Sequence, residues 1–128
     1  MNEDERSFID EEIQALKKCN HRNVIKYEES FVNKNWYCIV MEYCDGGDLE
    51  KLIEERKAQE RPFTEEEVFR YFVQMCLAVK HVHDQKILHR DIKSANIFLA
   101  APAGPDARGP QVKLGDFGAS RVSQANLA

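Results

Sequence analysis

No run of apolar residues in the 128-residue chain approaches the ~20 that a membrane-spanning helix needs. No span is therefore expected. The start, MNEDERSFID, lacks the cationic and apolar blocks of a secretory signal and the basic character of a transit peptide. An intracellular, cytoplasmic location is the expectation. Basic excess is also missing. Lys and Arg number 18 against 22 Asp and Glu, for a net charge of -4. That argues against a general nucleic-acid binder, which carries a basic patch and a high pI. The four cysteines, at 19, 38, 44 and 76, include no C-x-x-C, so neither a zinc site nor a redox pair is indicated. They read as reduced, mostly buried thiols. His81 and His83 lie two apart on an expected helix and so face apart, which makes a poor metal pair. There is no internal repeat and no heptad run.

What remains is a globular composition for one domain, 43% hydrophobic and 31% charged. Residues 3–19 are expected to be helical. Ile9, Ile13 and Leu16 form a stripe, with acids early and Lys17 and Lys18 late, as the helix dipole favours. Apolar runs around 24–27 and 36–42 predict an antiparallel hairpin turning at Asn33-Lys34-Asn35. Asp45-Gly46-Gly47 breaks the second strand. Asp48 can cap a short helix carrying Leu49, Leu52 and Ile53 on one face. Thr64 to Glu67 reads as a capping box. Behind it Val68, Tyr71, Phe72, Met75, Val79 and Val82 predict about 20 residues of helix with that face in a core. Short strands follow around 87–88, 97–99 and 112–114. The last two are joined by AAPAGPDARGP, residues 100–110, whose three prolines and two glycines exclude regular structure and predict an exposed, mobile loop. The order is α+β, not a repeating βαβ sheet.

The polar residues after the long helix carry the chemistry. Residues 87–99 read ILHRDIKSANIFL and residues 112–118 read VKLGDFG. Asp91 sits on a loop between apolar strands, with Lys93 two and Asn96 five residues on. A carboxylate can orient a hydroxyl, a cation can stabilise transferred negative charge, and an amide oxygen can bind a metal, a set suited to phosphoryl transfer. Asp116 supplies a second hard oxygen of the kind Mg²⁺ prefers.

HRDIKSAN resembles the protein-kinase catalytic loop H-R-D-x-K-x-x-N, and DFG resembles the kinase magnesium motif. IVMEYCDGGDL looks like a kinase hinge, and EEIQALKKCNHRNVIKYEESF like helix C running into the fourth strand. Lys93 resembles the serine/threonine kinases, and the wording of MEYCDGGDL, HRDIKSANIFL and VKLGDFGASRV is most similar to the NIMA-related kinases. The resemblance covers roughly residues 5–122 and implies part of a bilobal kinase fold. Residues 1–41 would belong to the small lobe, 42–47 to the hinge and 48–128 to the large lobe.

The implied cofactors are ATP and Mg²⁺, and the implied partner is a protein bearing a Ser or Thr hydroxyl. Asp91 would be the catalytic base, and Lys93 would steady the transferred phosphate. Asn96 and Asp116 would hold magnesium. Met41 would be the gatekeeper. The backbones of Glu42 and Cys44 would meet adenine, Phe98 would belong to the same nucleotide site, and Asp48 would lie near the ribose or serve as a plain helix cap. Glu12 would be the helix C glutamate that pairs with a lysine. Leu16, Tyr27, His89 and Phe117 would stack as a regulatory spine, with Gly118 completing the DFG motif. Ser120 and Ser123 follow that motif, where a phosphorylation site competes with a reading as solvated loop serines.

There are departures from the family pattern. The chain has no G-x-G-x-x-G, its first lysine is Lys17, and no A-P-E follows DFG. A kinase domain of this family would be about twice as long. The chain is therefore expected to be the middle of such a domain and to lack measurable turnover alone. The rival expectation is a short, non-catalytic binding module. The 100–110 insertion lengthens the step from Asp91 to Asp116 and is expected to project outward, leaving the catalytic residues in place.

Overall fold

A computed structural model describes residues 2–117 and the backbone of 121–122. Gly118, Ser120 and Ser123 lie outside the described residues. Helix α1 spans Glu3–Lys18, and Asn2 and Glu5 form a reciprocal capping box at its start. Strands β1 (Tyr27–Asn33) and β2 (Trp36–Met41) pair antiparallel. Lys34 and Asn35 turn between them with φ of 47° and 66°, the left-handed pair that matches a two-residue hairpin to strand twist. Helix α2 (Leu49–Ala58) is capped by the Asp48 carboxylate, and α3 (Glu65–Asp84) by Thr64 with Glu67. Then come β3 (Ile87–Leu88), a 3₁₀ turn (Ser94–Asn96), β4 (Ile97–Ala100), β5 (Gln111–Leu114) and β6 (Arg121–Val122). β4 pairs antiparallel with β5, and β3 with β6. The α+β class is as expected.

The core lies where α1 and α3 meet the β4–β5 pair. Leu16, Val24, Val82, Ile87, Ile97, Val112 and Phe117 are all but fully buried there, each contributing about 1.5–3 kcal/mol of transfer free energy. Several expectations are corrected. The apolar residues Val24 and Ile25 do not begin the hairpin. Val24 bridges to Leu114, and Ile25 N–H donates to the Leu114 carbonyl at 2.9 Å, so their burial serves β5 while β1 starts at Tyr27. The long helix has its expected length, but its apolar stripe is only partly covered. Ala78 and Val82 are buried and Tyr71, Met75 and Val79 pack beside them, whereas Val68 is 54% and Phe72 60% exposed. The thiols are not mostly buried. Cys19 is buried, Cys38 and Cys44 are intermediate, and Cys76 is exposed. The inserted loop is exposed over most of its length, yet its last residues fold back on α3 rather than projecting outward. Arg70 donates to the Arg108 carbonyl, and Gln74 Nε2 donates to the Pro110 carbonyl at 3.4 Å. The β3–β6 pair had no counterpart in the sequence reading.

Candidate active site

β3 runs straight into the loop that carries His89, Asp91 and Asn96. His89 is 2% exposed. Its Nδ1 accepts from the Asp91 N–H at 3.2 Å, so the ring proton sits on Nε2, which donates to the Gly115 carbonyl at 2.7 Å. One neutral imidazole thereby ties the Asp91 loop to the chain entering Asp116. Arg90 between them has φ of 67°, a left-handed conformation that costs a non-glycine residue roughly 1–2 kcal/mol. The surrounding bonds hold it there, and the chain reverses so that His89 is buried while Asp91 reaches the surface.

Asp91 and Asn96 form a single unit. The Asn96 Nδ2 donates to the Asp91 carbonyl at 2.8 Å and to its Oδ2 at 3.0 Å. Both amide hydrogens are committed, which fixes the amide and leaves its Oδ1 as an acceptor. Lys93 Nζ stands 3.7 Å from Asp91 Oδ1, an exposed and weak pairing that leaves the ammonium able to move to another anion.

Asp116 reaches the same place from β5. The Gly115 N–H donates to the Asn96 carbonyl at 2.9 Å, so the two loops are stitched through backbone as well as through His89. A side chain at Gly115 would sit 2.6 Å from the Phe98 ring, which explains the glycine. With φ of 52° at Asp116, the chain pivots. Phe117 turns into the core at 1% exposure, edge-on to His89 with ring centroids 4.9 Å apart, and Asp116 is left exposed. Leu16 belongs to the same buried cluster, and Tyr27 packs against it. Burial, and secondarily the negative charge of Asp116, raise the Glu12 carboxyl above its ordinary value. The Glu12 and Asp116 carboxylates thus lie near enough to repel one another.

The remaining residues follow β2 as far as the start of α2. Met41 ends β2 and is 40% exposed. The Glu42 N–H donates to the Lys26 carbonyl at 2.9 Å, and its Oε1 accepts from Lys26 N–H at 2.8 Å and from Lys113 Nζ at 3.1 Å. Cys44 is half-buried, and burial, with help from the Glu42 charge, raises its thiol. Gly46 N–H donates to the Leu99 carbonyl and Leu99 N–H to the Gly47 carbonyl, both at 2.9 Å, which anchors the turn at Gly46 and Gly47 to β4. Asp48 bridges to Phe98, and its carboxylate accepts from Lys51 N–H at 2.9 Å, so its capping role is realised.

Sequence reading missed two structural partners of this site. Lys113, 9% exposed, anchors the Glu42 carboxylate. Its signal was a lysine between apolar strand residues, where a charge needs a partner. Gln74 was the other. Its Oε1 accepts from Val112 N–H at 2.9 Å and from Asn23 Nδ2 at 3.1 Å, which fastens α3 to β5. A polar residue inside an apolar helical stripe is the pattern that could have found it.

The donor set fits a magnesium nucleotide. Asn96 Oδ1 and the Asp116 carboxylate are hard oxygens held by adjoining loops, and Mg²⁺ is bound through few protein oxygens together with phosphates. The protein kinase domain family matches residues 1–127. Serine/threonine-protein kinase Nek1 of Mus musculus is 47% identical over 127 residues, covering 99% of this chain and 10% of that protein. Nek3 of Mus musculus is 42% identical over 88% of the chain and 20% of its own length, and Nek5 of Homo sapiens 44% over 92% and 16%. The chain thus spans a fifth or less of the length of these three relatives. On the family match and the sequence shared with these NIMA-related enzymes, the chain belongs to the protein kinase family, among sequences of the serine/threonine type.

Proposed function

We propose that these residues are the catalytic centre of an ATP-dependent serine/threonine protein kinase of the NIMA-related kind, which moves the γ-phosphoryl group of ATP to a protein hydroxyl. The observation that carries this is the Asp91–Asn96 unit bonded through Gly115 and His89 to the chain at Asp116. Asp91 accepts the substrate hydroxyl proton. Asn96 holds its carboxylate in place through Nδ2 and offers Oδ1 to the metal. Lys93 meets the charge on the transferred group, and Asp116 supplies the second metal oxygen. Bound Mg²⁺ would neutralise phosphate charge as it shifts between oxygens. Met41, Glu42, Cys44 and Phe98 form the adenine side, with Asp48 at the ribose edge. Glu12 awaits a lysine partner, and Leu16, Tyr27, His89 and Phe117 form the packed spine behind it.

Residues 1–41, 42–47 and 48–128 are read as small-lobe, hinge and large-lobe portions of an intracellular protein. Phosphoryl transfer depends on positioning and charge stabilisation. These 128 residues hold no glycine-rich loop and no lysine before Lys17, so the chain by itself is proposed to be inactive. The test uses the full-length protein with radiolabelled ATP and a generic Ser/Thr substrate. Asp91→Asn and Asp116→Asn should each lower phosphate transfer by about 10²-fold or more while leaving the fold intact. Unchanged incorporation in Asp91→Asn would sink the assignment of Asp91 as the base, and no incorporation by the unaltered protein would favour a binding module.

A further inference from the structure

The insertion at 100–110 is the feature of the sequence that the catalytic reading does not use, and it builds a second site. Where the loop returns to β5 it closes a cavity of about 350 Å³ against the first half of α3. The cavity is lined by none of the residues proposed for catalysis or nucleotide binding, and Gln74, which fastens α3 to β5, borders both. Four arginines line it, Arg22, Arg56, Arg70 and Arg108, against one carboxylate, Glu67. Arg56 pairs with Glu67, and Arg108 meets Glu66 at the rim at 3.3 Å. Arg22 and Arg70 have no ion-pair partner among the described residues, so two guanidinium charges stay unbalanced in a concavity of a chain whose net charge is -4. Walls of low dielectric focus such a field and draw anions to it.

Arg70 is held in place, while Arg22 is exposed at the mouth of the cavity. Arg70 Nη1 donates to the Arg108 carbonyl, and its Nε is buried without an acceptor, so the guanidinium is only partly satisfied. A side chain at Gly109 would stand 2.9 Å from Arg70 Nη1, so glycine lets the loop backbone press against the guanidinium. Gln74 fixes the floor through its bonds to Asn23, Val112 and Pro110. Guanidinium forks suit phosphate oxygens in geometry as well as charge. Beside them lie Tyr71, Ala107 and Pro110, apolar surface that a free ion would leave unused but residues flanking a phosphorylated side chain would cover.

We propose that this cavity docks a phosphorylated serine or threonine on a protein segment, with Arg22 and Arg70 as the phosphate-binding pair. The site stands independently of the catalytic reading, since none of the residues proposed to touch nucleotide or substrate lines it.

The test is fluorescence anisotropy on the purified chain, using a labelled nonapeptide with a central phosphoserine flanked by leucine and alanine. Its serine twin and inorganic phosphate serve as competitors. The phosphopeptide should bind at least about tenfold more tightly than its serine twin, and its affinity should fall as salt rises. Arg22→Glu, at an exposed position, should weaken binding by at least about tenfold with an unchanged thermal melt. Arg70→Lys, which keeps the charge but loses the fork, should weaken it less. Should the Arg70 variant fail to fold, the Arg22 variant decides alone. Equal affinity for the serine twin, no binding at millimolar peptide, or an Arg22→Glu protein that binds as before would overturn the proposal. Inorganic phosphate displacing the peptide at equal affinity would also overturn it, showing a site for the free ion only.

Discussion

The two ends of the apolar stripe on α3 are alike in kind and have opposite fates. The C-terminal end, with Ala78 and Val82 buried and Met75 and Val79 beside them, packs on β5 and β3. The N-terminal end carries Val68 and Phe72, which are more than a third exposed, as are Phe69 and Leu77 further round the helix. The residues do not differ in kind. They differ in having a neighbour. A helix in water shows which residues could be buried, and only a second surface makes burial happen. The hairpin repeats the contrast, since Phe31, Val32 and Trp36 are exposed in a well-paired strand set.

That contrast can be broken by mutation. Phe117→Ala, at 1% exposure, should cost about 3–5 kcal/mol in denaturant unfolding, whereas Phe72→Ala, at 60%, should cost well under about 1 kcal/mol. Equal losses would mean the N-terminal end of the stripe is covered in solution. Gln74→Leu tests the polar tie on the covered side. It leaves the Val112 N–H without an acceptor, removes one partner of Asn23 Nδ2, and should cost about 1–3 kcal/mol in the same assay. A neutral result would mean water replaces the amide.

Glu12 supplies a smaller, pH-dependent difference. Its carboxyl is raised in the folded chain by burial and by Asp116, above its ordinary 4.5. The folded state therefore binds the proton to higher pH than the unfolded state does, and stability falls as pH rises from the ordinary range through the raised value. Glu12→Gln should flatten that slope, stabilising the chain at neutral pH and not near pH 4. An identical pH profile would show that Glu12 carries no such burden. The mildest probe is thiol labelling. Burial pushes the Cys19 thiol up to about 11, while Cys76 is exposed on α3. At pH 8, iodoacetamide should modify Cys76 at least about tenfold faster than Cys19, as mass spectrometry of digests would show. Comparable rates would place Cys19 at the surface.

Much of the local structure was legible because it depends on near neighbours in the chain. Thr64 and Glu67 cap α3 as their spacing implies, Asp48 caps α2, and Lys34-Asn35 make the hairpin turn. The candidate site residues were legible for a different reason: Asp91, Lys93, Asn96 and Asp116 recur in a wording shared across a family. The roles of Lys113 and Gln74 were not legible. Each depends on a partner far along the chain, Glu42 for one and Val112 with Asn23 for the other.

The sequence by itself determined where helices and strands could start and stop, and which loop bears the kinase-family motif, because caps, turns and motif spacing act over a few residues. Tertiary structure alone decided which apolar faces are covered and that Val24 and Ile25 serve β5. It also made His89 the link between two loops and folded the proline-rich insertion back against an arginine cluster. Those outcomes require surfaces distant in the chain to meet. Burial and long-range hydrogen bonding are properties of a meeting, which no single segment carries.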